Sequence, residues 1–139
     1  MKRFLPILMA LVLTGLLPVQ AYARNTVPVE NIERVAIHPA SGKTLTATEV
    51  KQAIATAAAK NDWVVTAATD GKTEATLEVR SKHTVKIEIL YDPASYSILY
   101  KDSVNMKFET KYGQAYIHPF YNKWVGILKS SIDQELGKL

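Results

Sequence analysis

The sequence contains no cysteine among its 139 residues. Disulfide bridges, a thiolate nucleophile and a thiolate metal site are therefore excluded, and we expect no lipid anchor on an N-terminal cysteine. Glycine and proline are also scarce, with six of each, which excludes collagen-like and low-complexity disordered chains. A hydrophobic fraction of 47% and a charged fraction of 22% fit one small globular domain.

The start of the chain has the pattern of an export signal. Two basic residues precede an apolar run over residues 4–19, and Ala21 and Ala23 place small side chains where a signal peptidase reads them. Proline and glycine interrupt this run, whereas a stable membrane helix needs about 20 continuous apolar residues. We therefore predict a signal peptide over residues 1–23, cleavage after Ala23, and a free periplasmic domain over residues 24–139.

The basic character of the chain nearly disappears with that leader. The formal net charge of +4 falls to about +2, because Lys2 and Arg3 leave with the signal peptide. The remaining charges of both signs are interspersed along the chain, and no basic stripe is apparent. We do not expect nucleic acid as a partner.

The first half of the domain shows one strand followed by one helix. Apolar and polar residues alternate over residues 32–38, which is typical of a half-buried strand. Thr46 and Glu49 have the spacing of a capping box, and apolar residues then recur at helical spacing. This pattern predicts a helix over residues 47–60.

The middle of the chain predicts consecutive strands. Asp70 and Gly71 suit the positive φ angles of a tight hairpin, and the flanking segments alternate with a period of two. We predict four antiparallel strands, over residues 63–69, 72–80, 83–91 and 96–101, with residues 104–108 extending the fourth or forming an edge.

The chain ends in a second predicted helix. Pro119 fits its first turn, and its apolar stripe comprises Tyr121, Trp124, Val125, Leu128 and Ile132. Trp63 and Trp124 are interpreted as core anchors. The resulting order of strand, helix, four strands and helix predicts an α+β fold with a single antiparallel sheet and both helices on one face.

Six of the seven tyrosines fall in the C-terminal part of the chain, interleaved with polar residues. Such a mixture can form a binding pocket of oriented hydrogen-bonding groups on an apolar floor. Alternatively, buried phenols bond to one another and to the backbone as ordinary packing. The candidate ligand-binding or partner-binding residues are Tyr96, Tyr100, Asp102, Ser103, Asn105, His118, Tyr121 and Asn122.

Catalysis is the second hypothesis and a structural subunit of an envelope assembly is the third. His118 is the candidate base of a small hydrolase, with Ser103 and Asp102 as partners, but no nucleophile elbow surrounds Ser103. We therefore name no catalytic residue. The three histidines lack zinc-site spacing and no glycine-rich phosphate loop is present, so we expect neither a metal nor a cofactor.

A pattern in the C-terminal part resembles a family of uncharacterised small exported proteins and lipoproteins of Gram-negative bacteria. The positions that carry the resemblance are Tyr96, Ser97, Ile98, Tyr100, Asp102, Ser103, Asn105, Ile117, His118, Tyr121, Asn122, Trp124 and Val125. The resemblance implies an envelope location and a compact α+β domain, and it implies no activity. The leading hypothesis is a soluble periplasmic domain that binds an envelope protein or a small ligand.

Overall fold

The computed structural model describes residues 25–139, so the predicted signal peptide over residues 1–23 lies outside the described part of the chain. The elements of this part follow the order β1 (Val27–Pro28), β2 (Ile32–Ala36), α1 (Ala47–Lys60), β3 (Val64–Thr69), β4 (Lys72–Val79), β5 (His83–Tyr91), β6 (Ser95–Val104), β7 (Glu109–Lys111), β8 (Gln114–Ile117) and α2 (Phe120–Gly137).

The strands form two antiparallel sheets, and the single sheet predicted from the sequence is wrong. The larger sheet has the strand order β2-β6-β5-β4-β3, and the smaller one has the order β1-β8-β7. The α+β class, the antiparallel pairing and the four consecutive strands β3 to β6 are confirmed. The predicted element order is wrong because it lacked the three short strands of the smaller sheet.

The smaller sheet was not predicted, because its strands are too short to show an alternation of apolar and polar residues. β1 has two residues and β7 has three. Strand β1, near the start of the described residues, pairs with β8, which is about 90 residues later in the chain. Val27 lies opposite Ile117 and Pro28 lies opposite Tyr116. Pro28 lacks an N–H group, which suits its place on an edge strand.

Helix α1 has the predicted bounds, and its first turn is capped as expected. The hydroxyl of Thr46 accepts a hydrogen bond from the backbone N–H of Glu49 at 3.1 Å. Three alanines, Ala53, Ala57 and Ala58, are buried on its inner face. Small side chains let the helix approach its neighbours closely.

Helix α2 contributes larger buried side chains to the core than α1 does. Its buried stripe consists of Tyr121, Val125, Leu128, Ile132 and Leu136, and it joins the inner residues of β5 and β6 and the buried face of α1 in one hydrophobic cluster. Within residues 25–139, no helix combines the length and the apolar character that a membrane span requires.

The outer face of the larger sheet is polar, and two acidic and two basic residues on it form a network of ion pairs. Glu74 and Glu88 each lie within ion-pair distance of Lys72 and Lys101. The hydrogen bond from Lys101 is the main reason why the pKa of Glu74 is below its ordinary value. This part of the face is therefore charge-compensated and solvated, which is the usual state of an exposed sheet face.

Candidate functional site

Three segments meet at one end of the larger sheet and build the candidate site. They are the turn between β4 and β5, the segment that follows β6, and the start of α2. The backbone N–H of His118 donates to the carbonyl of Met106 at 2.8 Å, and the His83 ring contacts the carbonyl of Asn105 through Nδ1 at 2.8 Å. These bonds fix the two histidines on either side of the segment after β6.

The turn between β4 and β5 has an unusual composition for its shape. Arg80 and Ser81 have φ angles of 56° and 51°, the mirror-image turn that normally takes asparagine and glycine. The left-handed conformation costs roughly 1 kcal/mol or more for each such residue. Asn105, itself at a φ of 58°, supports the turn through its amide, which donates to the carbonyl of Lys82 at 3.4 Å.

An aromatic row runs from this junction along the first two turns of α2. The ring centroids of His118 and Phe120 are 4.7 Å apart, and those of Phe120 and Trp124 are 5.7 Å apart. Phe120 is 51% exposed, and the ammonium of Lys123 lies 6.0 Å from the centre of its ring. A large apolar side chain is therefore presented to solvent beside a cation.

His118 caps the start of α2 in place of a conventional capping residue. Pro119 makes no side-chain capping bond, and the N–H of Phe120 donates to Nδ1 of His118 at 3.1 Å. This bond requires Nδ1 to be unprotonated. Burial lowers the pKa of His118, and the charges of Lys107 and His83 lower it further, so the neutral, capping form is favoured.

The cations at this end differ from most others because they have no acidic partner. Ion pairs within residues 25–139 hold Lys43, Lys60, Lys72, Lys101, Lys111, Lys129 and Lys138. Arg80, Lys82, Lys107 and Lys123 are exposed and form no ion pair in that part of the chain. Arg34, Lys51 and Lys86 also form none there and lie on other surfaces. The concentration of Arg80, Lys82, Lys107 and Lys123 at one end of the sheet favours a positive potential there.

A surface groove of about 210 Å³ lies among these groups, and we call it the basic groove. Its lining residues are Val79, Arg80, His83, Phe120, Lys123 and Trp124. Trp124 is half-buried, so its role goes beyond the predicted core anchor. Cationic and aromatic groups together suit an anion that is attached to an apolar body.

Three of the predicted site residues converge beneath the segment after β6. A bulge at Lys101 shifts the register, so that Tyr100 lies opposite Ile87 and Ser103 lies opposite Val85. The two residues then share the inner face, and their hydroxyl oxygens are 2.8 Å apart. The ring of Tyr121 meets the Tyr100 ring edge to face at a centroid distance of 5.5 Å.

This tyrosine cluster is closed rather than open. Phe108 stacks on Tyr100 at 4.6 Å, with the ring planes 7° apart. Tyr121 is fully buried, and its hydroxyl has no hydrogen-bond partner among the described residues. Burial raises the pKa of Tyr121. The cluster therefore has the character of packing, and its residues do not line the surface groove described above.

The remaining predicted residues fall into two groups. Asn105 and His118 belong to the junction described above, whereas Tyr96, Asp102 and Asn122 lie elsewhere. Tyr96 is buried and its hydroxyl donates to Asp133. Asp102 is exposed opposite Lys86 on the outer face of the sheet.

Asn122 acts as a strap for the N-terminal segment. Its amide donates to the carbonyl of Pro28 at 3.0 Å, and its carbonyl oxygen accepts from the N–H of Glu30 at 3.1 Å.

Asn122→Ala is expected to lower the free energy of unfolding by about 1 kcal/mol through loss of these two hydrogen bonds, as measured by urea denaturation. Gln134→Ala, an exposed change on the same helix, should shift it by less than about 0.5 kcal/mol. An unchanged free energy of unfolding for Asn122→Ala would show that these hydrogen bonds do not stabilise the N-terminal segment.

The geometry gives the hydrolase hypothesis no support. Among residues 25–139, the side chain of His118 has no hydrogen bond to Ser103 or Asp102, and the hydroxyl of Ser103 bonds to Tyr100 instead. Asp102 accepts from the backbone N–H of Ser103 at 2.8 Å. In the same range, no three histidine or carboxylate side chains cluster as metal ligands would.

Most of the groove was missed by the sequence reasoning. Arg80 and His83 come from the predicted strands over residues 72–80 and 83–91, and Phe120 and Lys123 come from the predicted last helix, outside its apolar stripe. One available signal was the tight turn at Arg80 and Ser81, since it lacks the glycine or asparagine that such turns prefer.

Cationic and aromatic side chains therefore line the basic groove together, and within residues 25–139 the side chains of His118, Ser103 and Asp102 form no hydrogen-bonded triad. The resemblance to small exported proteins of Gram-negative bacteria stays a prediction. Compared with families of known proteins, with curated protein sequences and with solved structures, this chain matches none of them.

Proposed function

We propose that this protein is a non-enzymatic binding domain of the cell envelope, which captures at the basic groove an anionic ligand with an aromatic or aliphatic body. Export by the predicted signal peptide would place it in the periplasm. The proposal keeps the binding function expected from the sequence and moves its centre from the tyrosine cluster to the groove.

One observation carries the proposal: the cations without acidic partners lie beside a partly exposed aromatic row, in which Phe120 is exposed and Trp124 is half-buried. Lys72 and Lys101, on the outer face of the larger sheet, each lie within ion-pair distance of a carboxylate. Arg80 and Lys123 line the groove without such a partner in residues 25–139. Charge complementarity therefore favours an anion.

The chemistry of the groove also favours a ligand with a substantial apolar part. An anion held only by exposed cations gains little, because water and salt screen the attraction. Contact with Phe120 and Trp124 adds the removal of apolar surface from water. Arg80 can in addition bind a carboxylate, sulfonate or phosphate through two parallel N–H groups.

A pair of fluorescent dyes tests the proposal. The purified domain should bind the anion 1-anilinonaphthalene-8-sulfonate at least about tenfold more tightly than the neutral N-phenyl-1-naphthylamine, because a tenfold difference requires only about 1.4 kcal/mol from the cations. Dye fluorescence and energy transfer from tryptophan report binding.

Two exposed apolar residues provide a matched pair of variants. Phe120→Ala should lower the affinity for the anionic dye about fivefold, since it removes about 1 kcal/mol of apolar contact. Val64→Ala, at a 64% exposed position on β3, should leave it unchanged. Equal affinity for both dyes, or equal loss in both variants, would contradict the proposal. Far-ultraviolet circular dichroism controls for folding.

A further inference from the structure

A second surface depression adjoins the basic groove. It has a volume of about 300 Å³, and Val79 and Trp124 line it as well as the groove. Beyond these two shared residues, its apolar wall continues through Trp63, Leu77 and Ile127. The two depressions therefore meet at Val79 and Trp124.

The start of α2 supplies an apolar stripe along both depressions. Phe120, Trp124 and Ile127 follow helical spacing on a side of α2 that is separate from its buried stripe. Phe120 is 51% and Ile127 is 48% exposed. At a rise of 1.5 Å per residue, the stripe spans about 10 Å.

Charge is distributed unevenly along this length. Arg80, His83 and Lys123 line the basic groove. At the far depression, Asp62 is acidic, and Lys60 is already paired with Glu135. An anionic group therefore finds complementary charge at one end only, and an uncharged body fits the rest.

We propose that the ligand is a single-chain anionic amphiphile bound as a monomer, with its head at Arg80 and Lys123 and its hydrocarbon chain lying over Trp124 toward Ile127. This inference rests on the proposed function and specifies the ligand class. A carboxylate, a sulfate or a phosphate head satisfies the same chemistry. The limited volumes of the two depressions, about 210 and 300 Å³, favour single molecules over a bilayer surface.

A chain-length series tests the inference by calorimetry, with linear carboxylates from hexanoate to dodecanoate kept below their micellar concentrations. Affinity should rise about fourfold for each added methylene until the chain exceeds the stripe of about 10 Å, and then level off. Ile127→Ser should weaken binding of the longer carboxylates and leave hexanoate unchanged. Leu90→Ser, a comparable exposed change on β5, should alter neither.

The possible failures can be told apart. Affinity that is independent of chain length, but still weakened by Lys123→Ala, would overturn the amphiphile and leave an anion-binding groove. Failure to bind any carboxylate or the anionic dye would overturn both proposals. Sedimentation with phosphatidylglycerol vesicles without binding of monomers would replace the monomeric ligand with a membrane surface.

Discussion

Replacing Trp63 with alanine is expected to lower the free energy of unfolding by about 3–5 kcal/mol, the usual cost of truncating a buried aromatic residue. Trp63 is only 3% exposed and lies where α1 turns into β3. Its backbone N–H donates to the carbonyl of Ala58 at 2.9 Å, so the side chain enters the core at a fixed position. The alanine-rich face of α1 offers little volume to refill the resulting cavity.

Urea denaturation followed by circular dichroism measures this effect without relying on tryptophan emission. The neighbouring residue supplies the control, because Val64 is largely exposed and Val64→Ala should change stability by less than about 0.5 kcal/mol. A loss below about 1 kcal/mol for Trp63→Ala would show that the core closes around the missing ring.

Reversing two charges in the basic groove is expected to weaken binding of 1-anilinonaphthalene-8-sulfonate by about 30-fold. Arg80→Glu combined with Lys123→Glu changes the local charge by four units. One unit charge at contact distance contributes about 1 kcal/mol in water. If each of the four charge units contributes half of this energy across the open groove, the binding free energy weakens by about 2 kcal/mol, which is roughly 30-fold in affinity. Added salt should reduce the difference, since exposed charges are screened.

The control reverses two cations that lie on other surfaces. Lys51→Glu combined with Lys86→Glu gives the same net charge, and Lys51 and Lys86 also form no ion pair within residues 25–139. Dye affinity should fall by less than about threefold. An equal loss in both double variants would mean that the dye responds to the charge of the whole molecule and not to the groove.

The predicted elements succeeded where the local pattern was long and uniform. Helix α1 extends from Ala47 to Lys60 as predicted, because the cap at Thr46 and the apolar stripe act within a few residues of chain. Strand β5 also has its predicted bounds. Strand β6 continues past residue 101 to Val104, so the predicted extension of the fourth strand over residues 104–108 is realised only at its first residue. The bulge in β6 shifts the register, and sequence alternation does not reveal it.

Of the side chains that the sequence singled out for a site, some lie at the candidate site and others lie elsewhere. His118 and Asn105 were singled out from the sequence, and both lie at the junction beside the basic groove. Tyr96 and Asn122 belonged to the same polar and aromatic pattern, yet they bond to Asp133 and to the N-terminal segment. A local pattern cannot distinguish these outcomes, because a buried phenol or amide finds its partner wherever the fold brings one.

The sequence by itself determined the α+β class, the capped first helix and the run of four antiparallel strands, since each follows from periodicity and capping over short stretches of chain. Only the tertiary structure decided that β1 pairs with β8 in a second sheet. Only the tertiary structure brought the turn at Arg80 to the start of α2, next to Phe120 and Lys123. Contacts between distant segments depend on how whole elements pack, and that packing is set by the shared core rather than by any local pattern.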